Sequence, residues 1–124
     1  MGESKGYIRN TDEKGSINIS DEVVAVVAAA ATMDVDGVYS LFFSYGKEPA
    51  NMLSRKVLAR GVKLHIDGDD VAIDVFVIAS IGYAVNEVGA DIQRAVASAV
   101  EAAVGVTVSA VNVHICGVSL KKSK

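Results

Sequence analysis

The sequence has no tryptophan, one proline, one cysteine, and no apolar run approaching the width of a bilayer. Each scarcity removes a class of protein. The lone thiol, Cys116, excludes an internal disulfide and fits a reducing compartment. A membrane-spanning helix needs about 20 consecutive apolar residues, and none is present. The start also lacks the basic stretch, apolar core and small-residue cleavage site of a secretory signal. The expectation is a cytoplasmic protein with no transmembrane segment, touching a membrane only peripherally. Three phenylalanines and four tyrosines are too few for a large aromatic-lined ligand pocket.

Signatures of chemistry are equally scarce. There is no Gly-x-Ser-x-Gly elbow, no glycine-rich phosphate loop and no His-Glu-x-x-His. Asp67, Asp69 and Asp70 fall in a turn, where aspartate bonds its own backbone, and Glu87 and Asp91 fall on a solvated helix face. Cys116 has no nominated base. The expectation is therefore no enzyme, no catalytic residue and no cofactor. A net charge of −3 lacks the basic excess of a dedicated nucleic-acid binder, so no nucleic-acid partner is expected.

What the chain does have is valine and alanine in strong patterns. At 124 residues and 51% hydrophobic content it can bury one core, and only one. From Tyr83 onward Val85, Val88, Ile92, Val96, Ala99 and Ala103 recur at steps of three and four, which predicts a long amphipathic helix with Asn86 as N-cap. Gly105 stands where a left-handed residue would stop it. A strand follows, with Val111, Val113 and Ile115 on one face and Asn112, His114, Cys116 and Val118 on the other.

Earlier in the chain, Ser16–Ile19 alternates as a short strand, and Ser20 before Asp21 and Glu22 predicts a capped helix ending near Met33. Asp36-Gly37 is a turn before a strand at Val38–Phe43. Val62–Asp67 and Val71–Ile78 read as a β-hairpin, with Ala72, Asp74, Phe76 and Ile78 on its outer face. The fold class expected is α+β: a two-layer sandwich of one mostly antiparallel sheet with two main helices on one face. Its order is β-α-β-β-α-β with the hairpin counted once, plus a short helix at about 50–59. Residues 1–14 are expected as a flexible polar arm, 15–120 as a single domain and 121–124 as a basic tail.

Three groups of residues stand out as sites. His65, His114 and Cys116 are metal-ligand types that would need His65 or Asp74 on a neighbouring strand to converge; strand periodicity alone pairs any residues two apart, so no metal is expected. Arg55, Lys56, Arg60 and Lys63 gather positive charge that could meet an anionic surface. Phe76, Ile78, His114, Cys116 and Val118 point away from the helices. An outer sheet face is normally polar, so apolar residues there predict an oligomer interface or a partner site.

Several stretches together resemble a known family. Gly15–Val23 (GSINISDEV), Asp36-Gly37-Val38, Arg60–Leu64 (RGVKL), Glu87–Gln93 (EVGADIQ) and Val111–Val118 (VNVHICGV) are similar, in order and spacing, to the alkaline shock protein family (Gls type) of Gram-positive bacteria, over about residues 15–120. The resemblance implies a non-enzymatic cytoplasmic protein of the cell-envelope stress response. Some members self-assemble and are held beneath the membrane by an anchored partner protein. Another branch, which the VNVHI ending resembles, is linked to fatty-acid synthesis through the acetyl-CoA carboxylase system. The family has no agreed catalytic residues. This chain departs from its pattern in the basic 44–60 segment and in Cys116.

Overall fold

In the computed structural model, which describes residues 7–12 (backbone only), 14–42 and 61–120, eight elements follow in order. They are β1 (Tyr7–Asp12), β2 (Gly15–Ser20), α1 (Asp21–Met33), β3 (Val38–Leu41), β4 (Val62–Asp67), β5 (Asp70–Ser80), α2 (Val85–Val104) and β6 (Thr107–Ser119). The expected short helix at about 50–59 lies outside the described residues. So do the basic tail and Arg55, Lys56 and Arg60.

Strand β5 is the centre. Its β-branched residues favour the pleated, packed surface of a sheet, and Val71, Ile73, Val75 and Val77 are fully buried on one face. One edge of β5 pairs antiparallel with β4 over Asp70–Val75 and, further along, with β3 over Val77–Ala79. The other edge pairs with β6 in parallel. A parallel neighbour cannot be reached by a tight turn, and α2 supplies the crossover. The fold is the expected α+β sandwich, with two of the three pairings in this sheet antiparallel.

Both helices cover the inner face. Helix α1 begins where Ser20 accepts the Val23 N–H at 3.4 Å and carries Asp21 and Glu22 in its first turn. Ala25, Ala28 and Ala29 are buried, and side chains that small let the helix lie close to the strands. Helix α2 buries Val88, Ile92, Val96, Val100 and Val104. This stripe drifts from the expected one because it advances by four at every step, so Val100 and Val104 replace Ala99 and Ala103. Val85 is left exposed. The N-cap is Ala84 rather than Asn86, and no side chain caps that end.

The expected arm is corrected over Tyr7–Asp12, which pairs antiparallel with β2 from Tyr7↔Ser20 to Asp12↔Gly15. Polar composition hid it, because both strands of such a hairpin can be solvated. The third strand also stops at Leu41, short of Phe43.

Two glycines set the chain's direction after each helix. Gly105 closes α2 in the left-handed region at φ 80°, its N–H bonded to the Glu101 carbonyl at 2.9 Å. Gly37 has φ 95°, and a Cβ there would come within 2.6 Å of Val88 and 3.0 Å of Tyr83. Replacement by alanine should therefore separate the two. Gly105→Ala meets only backbone strain and should cost about 1 kcal/mol, whereas Gly37→Ala adds overpacking of about 1–3 kcal/mol. Urea denaturation of both variants checks this order.

Candidate functional site

The strand register gathers polar side chains on the face opposite the helices. Lys63 stands opposite Asp74, Asp74 beside Asn112, and Phe76 beside His114. Asp74 is the hub. Its Oδ1 accepts the Asn112 amide at 2.8 Å, and its Oδ2 lies 3.0 Å from the His65 Nε2. The His114 Nε2 is 3.7 Å from Oδ1. The Asp74 side chain is 19% exposed while His65 and His114 remain largely in solvent.

The Asn112 hydrogen bond, followed by that from His65, holds the Asp74 carboxyl below its ordinary value, against an opposing contribution from burial. Both imidazoles are thus aimed at one carboxylate. The Cys116 thiol is not part of this cluster and lies 3.7 Å from the His114 carbonyl oxygen. Among the described residues no group of three or more His, Cys, Asp or Glu is placed to hold a metal ion.

Next to the polar cluster the face turns apolar. The His114 ring stacks on Phe76 with centroids 4.5 Å apart and planes 12° from parallel, a contact of about 0.5–1.5 kcal/mol beyond area burial. The Lys63 ammonium sits 5.7 Å from the same ring centre. Phe76 and Ile78 are half-buried, and Phe42, whose N–H bonds the Phe76 carbonyl at 2.8 Å, is exposed.

Of the expected surface residues, Val118 is placed differently. A register shift skips Cys116, so Gly117 pairs with Ile78 and Val118 with Ala79. Paired residues share a face, and Ala79 belongs to the side under the helices. A bulge of one residue is invisible to a simple alternation and moves every later side chain across.

Helix and strand periodicity does not reveal an apolar rim. Ile81 and Tyr83, between β5 and α2, Val85, at the start of α2, and Leu120, just past β6, are exposed and continue from Val118. The signal lay in Ile81–Val85 (IGYAV), a connection with no charged residue.

Among the described residues, one face of the sheet lies under helices and the other presents a mixed polar and apolar surface. The chain's family follows from comparison. The model of the alkaline shock protein 23 family, described as having a cell envelope-related function, matches residues 9–120, and the chain belongs to that family. The resemblance carried by the sequence motifs is thereby upheld. The uncharacterised protein Spy1535 of Streptococcus pyogenes serotype M6 is 36% identical over 114 residues, covering 91% of this chain and 86% of its own length. Two uncharacterised Bacillus subtilis proteins are also similar: YloU at 31% identity (84% of this chain, 88% of its own) and YqhY at 25% (84% and 77%). No solved structure matches. No helix among the described residues is long and apolar enough to cross a membrane.

The Asp74 cluster makes a prediction with a definite sign. A carboxyl held below its unfolded value stabilises the fold above that value, and the contribution disappears as pH falls through the folded one. Asp74→Asn should cost about 1 kcal/mol at pH 7, with the gap to the unsubstituted chain closing below the ordinary aspartate value of 3.8. Urea denaturation across a pH series measures it.

Proposed function

We propose that the chain is a non-enzymatic scaffolding protein of the cell-envelope stress response, acting in the cytoplasm by self-association and protein contacts near the membrane. The observation that carries this reading is the sheet face that no helix or strand among the described residues covers. Phe76, Ile78 and Phe42 lie exposed or half-exposed beside a polar cluster, and an uncovered face of that kind is what a protein contact would use. The family's envelope-related description supports the setting. Lys63, on the same face, gives it a positive charge that suits an acidic partner or an anionic surface.

A second reading, a regulatory partner in fatty-acid synthesis acting on the acetyl-CoA carboxylase system, draws on the Val111–Ile115 run (VNVHI) and its likeness to that branch.

Light scattering on the eluting native chain should give a mass above that of the monomer. Crosslinking in the native cell should recover a membrane-anchored partner that Phe76→Glu no longer captures. A monomer at high concentration that recovers no envelope protein would sink the scaffolding reading. In that event a change in malonyl-CoA on deletion would favour the second.

A further inference from the structure

Strand β6 is the open edge of the sheet. Among the described residues it pairs only with β5, and Thr107–Ser119 contains no Lys, Arg, Asp, Glu or Pro. Natural edge strands usually carry such residues to block stray pairing. Near its start the Glu101 carboxylate from α2 accepts the Val108 N–H at 2.9 Å; beyond it, from Val111 onward, no charged side chain of the strand guards the edge, and that length calls for a cover.

The ladder shows which groups are on offer. The Phe76 N–H and carbonyl turn toward Gly61 and Phe42, so the odd-numbered residues of β5 turn toward β6. By the geometry of a parallel ladder Val111, Val113 and Ile115 then direct their backbone groups outward. The Gln93 side chain agrees with this direction, reaching from α2 to donate to the Val111 carbonyl at 3.0 Å.

Beside that edge lies a groove of about 380 Å³, lined by Val85, Gly89, Ala90, Gln93, Val113 and Ile115 among others. A Cβ on Gly89 would meet nothing within 4 Å. Val85, 45% exposed, and Val118, 52% exposed and on the helix side of the sheet by its register, prolong the apolar strip along the strand.

We infer that edge and groove form one seam, filled by the β6 strand of a second copy related by a two-fold axis at Val113. In that antiparallel pairing Val113 faces its counterpart as a hydrogen-bonded pair, and Val111 faces Ile115 in both directions. The Val111 carbonyl exchanges Gln93 for a backbone donor. Charge admits a second copy as the occupant: the chain is −3 overall, yet neither β6 nor the groove residues carry Asp, Glu, Lys or Arg, and the Glu101 carboxylate bonded to Val108 stands five residues from the axis, apart from its counterpart. Two copies therefore meet there without like-charge repulsion. A two-fold contact also needs one surface that fits itself. Val113 and Ile115, half-buried and two residues apart, bring the same apolar side chains to the seam from each copy. Small residues at Gly89 and Ala90 let α2 approach its counterpart. The inference rests on the self-association proposed above and names its surface, leaving the Phe76–Ile78 face open on both copies.

Single-cysteine crosslinking of the full chain tests it. A hydrogen-bonded antiparallel pair has Cα atoms about 5.5 Å apart, inside the disulfide range of about 4.4–6.8 Å. Val113→Cys with Cys116→Ser should become a covalent dimer on mild oxidation, and Ser16→Cys with Cys116→Ser should not. Val113→Pro removes an edge-facing N–H and leaves the β5 ladder intact; it should weaken dimerisation at least tenfold in sedimentation. Ala90→Arg, on the helix surface, should do the same if the proline disturbs the strand. Unaltered assembly in Val113→Pro and Ala90→Arg, with no crosslinking above the control, overturns the seam while self-association stands on another surface. A monomeric unsubstituted chain overturns both.

Discussion

The structure depends on one strand having its inner face and both edges occupied. The inner face of β5 is sealed by two helices, one edge by β6, and the other edge by β4 and β3 laid end to end. Each fully buried valine or isoleucine of β5 contributes about 1.5–3 kcal/mol through removal from water. The other elements are arranged to keep that strand dry. α2 must be long enough to return the chain to the opposite edge and apolar along one stripe to cover what it crosses. α1 must be rich in alanine because it lies close over the remaining strands.

This constraint explains what could be read in the sequence. The alternation in Val71–Val77 and the spacing in α2 are local patterns, and both elements lie where those patterns put them. Ser20 as a cap and Gly105 as a stop are side-chain and backbone preferences that need no tertiary context. The parallel pairing of β6 was not legible, since nothing in a strand's composition names its neighbour. The bulge at Cys116 was not legible either, and it carried Val118 to the other face. The site followed the same division. Asp74 and Phe76 shared a face by parity and the expected hairpin already set β4 beside β5, but bringing Asn112 and His114 to the His65–Asp74 pair required knowing that β6 lies on the other edge of β5.

The outer face joins two kinds of surface. The Asp74 cluster ties three strands together through side chains, so the polar part of the face is pinned rather than loosely solvated. Phe76 belongs to both parts: its ring supports the His114 imidazole, and its backbone holds the strands on the far edge. A contact surface built on such a residue has a fixed shape before any partner arrives, which lowers the entropy cost of association.

The backbone of Phe76 has another consequence. Its N–H donates to the Gly61 carbonyl at 2.9 Å and its carbonyl accepts the Phe42 N–H at 2.8 Å, so both residues are held at a single point of β5. The 43–60 connection therefore begins and ends at anchors that are already closed. Phe76 thus acts as a clasp of main-chain bonds that sets Phe42 and Gly61 side by side, and because the ring takes no part in it, the spacing of those two points is independent of the side chain that the outer face presents.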